Sequence, residues 1–193
     1  MKARYARAIA AGRTTDLTLA EWAVLGLVCE KETHGWDLVR ELRPDGATGL
    51  VWSCPRALVY RAVDVLVERK LILKRAPVES ALGPARTLLA STPAGRRALE
   101  RWLETPVLHL RDVRSDLLLK LLLDHRLGRD STKLVALQKA AFGPLAESLG
   151  SRVGKGDPFE QMLALWRHTT AQAALDFLDR LAVDATVRTS GSD

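Results

Sequence analysis

The stretch Val59-Tyr60-Arg61-Ala62-Val63-Asp64-Val65-Leu66-Val67-Glu68-Arg69-Lys70-Leu71-Ile72 reads as an amphipathic helix that passes directly into a strand. Val59, Val63 and Leu66 fall at i, i+4 and i+7 and form an inward stripe. Arg56, Tyr60, Arg61 and Asp64 fall on or near the opposite face. The helix opens near Ser53-Cys54-Pro55, with Ser53 or Cys54 as its N-cap. Pro55 then sits in the first turn, where its missing N–H costs little. Beyond the helix, Leu71–Arg75 reads as a strand, Pro77–Ala85 as a turn containing Gly83-Pro84, and Arg86–Ala90 as the returning strand.

Two helices precede this unit. Thr18 and Glu21 have the spacing of a capping box, and Leu19, Trp22, Ala23, Gly26 and Leu27 recur at helical spacing behind them, predicting one buried face. His34-Gly35 opens a short second helix whose apolar residues are Trp36, Leu38, Val39 and Leu42. Pro44, Gly46 and Gly49 end it. On the far side of the hairpin, Thr92-Pro93 starts a fourth helix that stops before Pro106.

Helix, helix, helix, strand, turn, strand is the order of a winged helix–turn–helix. That arrangement places its later helix in the DNA major groove, about 12 Å wide, while the wing touches adjacent backbone. On this reading Ser53, Arg56, Ala57, Tyr60 and Arg61 face DNA from the helix, and Lys74, Arg75 and Arg86 from the wing. A basic face on an amphipathic helix is also commonly plain solvated surface. Charge placement favours the DNA reading. Residues 1–103 carry 17 Lys/Arg against 11 Asp/Glu, whereas residues 104–193 carry 12 of each, so the whole net charge of +6 sits in the first half. A basic half joined to a neutral one suits a polyanionic partner.

The second half reads as helical. One helix covers about Asp112–Leu127 and stops at Gly128. Another starts at Ser131 and meets Pro144, which should kink or break it. Gly150–Gly156 forms a loop. Asp157-Pro158-Phe159-Glu160 then combines an Asp N-cap, Pro at the first position and Glu at the third. In the helix that follows, Phe159, Met162, Trp166, Ala173, Phe177 and Leu181 are spaced 3, 4, 7, 4 and 4, close to a heptad seam. Lys120, inside the apolar run Leu117–Leu123, is expected to snorkel to solvent, with a buried counter-ion for an acidic effector as the lesser alternative.

The chain resembles the PadR family of transcriptional regulators over about residues 17–182. Leu19–Gly35 with His34-Gly35-Trp36 is similar to the family's first helix and its His-Gly-aromatic motif. Val59–Ile72 is similar to its Leu-Tyr-x-x-Leu-x-x-Leu-Glu-x-x-Gly-Leu-Ile pattern, and Thr92-Pro93-Ala94-Gly95 to its Thr-Pro-x-Gly motif. Leu119-Lys120-Leu121 falls where the family has a Lys-containing apolar helix. Two departures stand out. Lys70 replaces the family's Gly at a helix C-terminal left-handed position, and Trp36 replaces the usual Tyr.

The resemblance implies a dimeric repressor on a pseudo-palindromic operator, its C-terminal helices packed against a partner subunit. It also implies, for some members, release by a phenolic or planar aromatic effector. Trp102, Phe159, Met162, Trp166 and Phe177 are the effector or dimer-interface candidates, with simple packing the commoner role of aromatics at helical spacing.

The expected architecture is mainly α with a small two-stranded β-wing. It comprises a basic arm (1–16), a winged-helix domain with a linker helix (17–104), a helical dimerisation domain (105–185) and a polar tail (186–193). The expected partners are double-stranded DNA, a second copy of the chain and a small aromatic effector. A winged helix used only for protein interaction is the alternative.

No enzyme is expected. His34, His109, His125 and His168 are scattered, and GxSxG, P-loop and GxGxxG patterns are absent, so neither metal nor cofactor is called for. The chain lacks a run of about 20 apolar residues and a secretory signal, and Cys29 and Cys54 form no framework, which points to the cytoplasm. Cys54, beside the DNA-reading helix, is read as inert, with oxidation there as the lesser alternative.

Overall fold

The computed structural model describes residues 17–75, 78–80 and 83–190, the side chains of 78–80, 83–86 and 183–190 excepted. The basic arm at 1–16 and residues 191–193 lie outside the described residues. The chain divides into two compact units, Met1–Trp102 and Leu103–Asp193.

The first unit is a winged helix. Helix α1 (Leu19–Glu30) is capped by Thr18, whose hydroxyl accepts from the Glu21 N–H at 3.4 Å while the Glu21 carboxylate accepts from the Thr18 N–H at 2.9 Å. The predicted capping box is thus complete. The helix is buried on every side from Ala20 to Val28, not on one face. Its composition explains this: the run AEWAVLGLV offers a single charged residue, and that one is occupied at the cap. Strand β1 (Thr33–His34) and short helix α2 (Gly35–Glu41) follow.

Helix α3 (Arg56–Glu68) packs on α1 and α2 through Val59, Ala62, Val63 and Leu66, all buried. Pro55, rather than Ser53 or Cys54, occupies its N-cap, with no side-chain cap bond. The helix ends in a Schellman motif. Leu71 N–H bonds the Leu66 carbonyl and Lys70 N–H bonds the Val67 carbonyl, both at 2.9 Å, with Lys70 at φ 57°.

The wing is larger than the two strands expected. Strand β2 (Ile72–Lys74) pairs antiparallel with β5 (Leu88–Ser91), which pairs on its other edge with β1, giving the order β1-β5-β2. The stretch expected as a turn holds a second antiparallel pair, β3 (Val78–Ser80) and β4 (Gly83–Arg86). Arg86 therefore ends β4 instead of starting the return strand. Two-residue β1 carries too little pattern to be read from composition; its pairing with Leu88 and Leu89 is a tertiary effect.

Helix α4 (Pro93–Leu103) shows what the Thr-Pro-x-Gly motif does. Thr92 Oγ1 accepts from Gly95 N–H at 3.0 Å and lies 2.8 and 3.0 Å from the carbonyls of Lys70 and Leu71. A Cβ on Gly95 would stand 2.1 Å from the Leu71 carbonyl oxygen, so only glycine lets α4 approach the end of α3 this closely. Trp102 on α4 stacks on Trp22 of α1, ring centroids 4.9 Å apart and 10° from parallel.

The second unit is helical. A 3₁₀ turn (Leu110–Asp112) and a π turn (Val113–Leu117) lead into α5 (Leu118–Arg126), and Gly128 at φ 63° ends it. Helix α6 (Thr132–Gly150) continues through Pro144 without interruption. Helix α7 (Pro158–Ser190) runs past the boundary expected at 185. Asp157 caps it, accepting from the Phe159 and Glu160 N–H groups at 2.8 and 2.9 Å.

The core of this unit joins Val107, Leu117, Leu134, Val135, Phe142, Ala174 and Leu178. Gln138 is fully buried within it and bonds both backbone groups of Val107, at 2.8 Å to the N–H and 2.9 Å to the carbonyl. Lys120 does not snorkel. It is 3% exposed and its ammonium donates to the Thr105 carbonyl. Burial pulls its pKa down to about 8, against the opposing pull of Asp116 and Asp124.

Candidate nucleic-acid interface

One exposed face of α3 carries the helix residues that the sequence singles out. On α3, Arg56, Ala57, Tyr60, Arg61 and Asp64 all point to solvent, opposite the Val59–Leu66 stripe. Ser53 is exposed just before the helix. The Arg56 guanidinium lies 5.5 Å from the centre of the Tyr60 ring, close enough for a cation–π contact. Among the described residues neither Arg56 nor Arg61 meets a carboxylate.

Tyr60 is positioned by the His-Gly-aromatic motif. A Cβ on Gly35 would fall 2.9 Å from Tyr60 Cε1, so the missing side chain makes room for the ring. His34 Nδ1 lies 3.1 Å from the Thr87 carbonyl and ties the start of α2 to the residue before β5. His34, Gly35, Trp36, Tyr60 and Thr87 line an open cleft of about 410 Å³. Trp36 itself is 58% exposed, with the Arg40 guanidinium 4.9 Å above its ring. Trp36, apolar by type, is a surface group of α2 rather than part of its buried side. The available signal is helical phase. Trp36 stands two residues, about 200°, from buried Leu38.

The wing cations are engaged in this state. Lys74 Nζ sits 3.2 Å from Asp64 Oδ1, which fastens β2 to α3. Arg75 donates twice to Glu32 Oε1, at 2.9 and 2.5 Å. Both pairs are about half exposed, and such pairs are worth about 0–1 kcal/mol, so a phosphate can displace the carboxylates at little cost. The side chain of Arg86 lies outside the described residues. Cys54 is buried beside α3, and that burial raises its thiol pKa.

The remaining candidates separate. Trp102 belongs to the winged-helix unit and has one ring face taken by Trp22. Phe159, Met162 and Trp166 lie on α7 in the helical unit and are 65%, 59% and 65% exposed, joined by Leu165 at 53%. Phe177, expected on the same seam, instead packs against the unit's own core. Among the described residues no three His, Cys, Asp or Glu side chains gather as a metal site, and no helix is long and apolar enough to cross a membrane.

No family model matches the chain, and no curated protein matches it. Solved structures do. Bacillus subtilis PadR in complex with operator DNA is 17% identical, with 88% of this chain and 99% of that chain covered and a TM-score of 0.45. The same protein in complex with p-coumaric acid is 15% identical over 88% and 96%, with a TM-score of 0.39. The PadR-like transcriptional regulator BC1756 from Bacillus cereus is 19% identical over 88% and 99%, with a TM-score of 0.37. The chain is similar to PadR regulators. Of the PadR-like motifs, His34-Gly35-Trp36 borders the face bearing Tyr60 and Thr92-Pro93-Ala94-Gly95 locks α4 to the end of α3.

Proposed function

We propose that the chain is a DNA-binding transcription regulator and not an enzyme. It acts as a homodimeric repressor, with α3 in the major groove and the wing on the flanking backbone. One observation carries this reading: Arg56, Tyr60 and Arg61 stand together on an exposed face, and among the described residues the two cations meet no carboxylate. Lys74 and Arg75 on the neighbouring strand end supply phosphate contacts by exchanging Asp64 and Glu32 for DNA. Ser53 and Ala57 share the DNA-facing surface, and Arg86, at the end of β4, is assigned to DNA from its place in the wing sequence.

The exposed apolar ridge Phe159–Met162–Leu165–Trp166 supports pairing of two copies through α7, since monomers rarely leave such a ridge uncovered. A two-fold dimer would meet half-sites about 34–36 Å apart, hence a pseudo-palindromic operator. A small aromatic effector would release the DNA. Trp166 offers it an open ring, whereas Trp102 has one face occupied. Such a regulator works in the cytoplasm on double-stranded DNA.

Anisotropy of a labelled duplex from the chain's own upstream region tests the interface. Affinity should fall steeply with salt, and Arg61→Ala should weaken binding about tenfold. Salt-independent binding, or unchanged affinity in Arg61→Ala, would overturn the assignment and favour a protein-interaction module.

A further inference from the structure

The turn between α6 and α7 builds a cleft that DNA recognition does not use. Gly154 at φ 77° and Gly156 at φ 89° take left-handed backbone on either side of Lys155. Side-chain-bearing residues rarely adopt that conformation, so the glycines set the path of the turn. The chain doubles back and brings three cations to one place: Arg152 just past α6, Lys155 in the turn, and Arg167 from α7. They line an open cleft of about 420 Å³ whose apolar wall includes Leu163 and buried Ala164. That volume lies in the range of small-molecule sites, about 300–1,000 Å³.

The charge of the cleft is unbalanced. Glu160 is the one carboxylate in its lining, and it is turned to the helix start, where its Oε2 accepts from the Asp157 N–H at 3.1 Å. Asp157 is likewise spent on the N–H groups of Phe159 and Glu160. Among the described residues none of the three cations has an ion-pair partner. Three cations against one carboxylate leave an excess of two positive charges, although this half of the chain is neutral as a whole. A carboxylate ligand would match one of them. A phosphate monoester carries about −1.5 to −2 at neutral pH, and its oxygens suit the forked donors of two arginines.

We propose that this cleft binds a phosphate monoester with an apolar body, its phosphate held by Arg152, Lys155 and Arg167 and its body laid against Leu163 and Ala164. The inference does not rest on the DNA reading, because every residue in it belongs to the helical unit.

Calorimetric titration of the full chain, without DNA, tests it. The probe is 1-naphthyl phosphate at pH 8, compared with 1-naphthoate, 1-naphthol and inorganic phosphate. One site per chain is expected, with naphthoate and inorganic phosphate each about tenfold weaker and naphthol weaker still. Arg152→Gln, Lys155→Gln and Arg167→Gln should each weaken naphthyl phosphate about tenfold. Arg111→Gln, an exposed arginine outside the cleft, should leave it unchanged. Absence of binding at about 1 mM, equal affinity for inorganic phosphate, or unaltered binding in the cleft variants would each overturn the proposal.

Discussion

Lys70 pays a conformational cost that a neighbouring chemistry would remove. It is the one non-glycine with positive φ among the described residues, at 57°, and it closes α3 where the similar family pattern has glycine. A left-handed residue with a Cβ costs about 1–2 kcal/mol, partly offset by the greater unfolded-state freedom of glycine. Lys70→Gly should therefore stabilise the protein by about 0.5–1 kcal/mol, read as a higher urea midpoint with an unchanged slope. A lower midpoint would show that the Lys70 side chain contributes more than its backbone costs. Lys120 gives a second residue-scale expectation. Its pKa is depressed to about 8 in the folded chain from 10.5, so the unfolded state binds more protons between those values. Stability from this group is then lowest below pH 8, rises with pH across the window, and levels off above 10.5. Wild type should gain on Lys120→Met as pH goes from 8 to 10, and parallel curves would refute it. Lys70 is legible in the sequence because a local pattern marks its place. Lys120 is not: snorkelling is a local expectation, and its burial is decided by how distant segments close around α5.

At the scale of elements, the helices of the winged unit follow from capping and periodicity. Thr18 and Glu21 make the cap their spacing predicts, and the Val59–Leu66 stripe is buried as read. What escapes sequence reading is pairing between distant segments. β1 exists because Leu88 and Leu89 meet it, and the carboxylates that hold Lys74 and Arg75 come from Asp64 and Glu32, 10 and 43 residues away. The outward triad Arg56, Tyr60 and Arg61 is legible from period alone, whereas Trp36 is hidden by counting it as apolar. The heptad seam on α7 divides for a similar reason. Its first three members are exposed, while Phe177 is claimed by the core around Phe142 and Leu178. Gln138 is a further case, since only the fold shows it clamping the Val107 backbone. Gln138→Leu strands a buried N–H and carbonyl, each costing about 1–3 kcal/mol. A fall in melting temperature of several degrees is expected, and an unchanged melting curve would contradict the clamp.

For the whole molecule, charge is sorted between the two halves of the sequence. The positive excess lies in the half that forms the winged helix, and the exposed apolar ridge lies on α7 of the other. That division suits a regulator whose first unit meets DNA and whose second meets a copy of itself. Trp166→Glu should convert a dimer to a monomer in sedimentation velocity and weaken operator binding, because one half-site loses its linked partner. A dimer that survives this change would move the interface elsewhere. The most direct test is a mobility shift of the purified protein on its own upstream DNA, repeated across a salt series and against a shuffled fragment. A discrete, salt-sensitive complex on the upstream fragment alone is the predicted result. No shift at low salt on any fragment, or equal binding to the shuffled one, would contradict it.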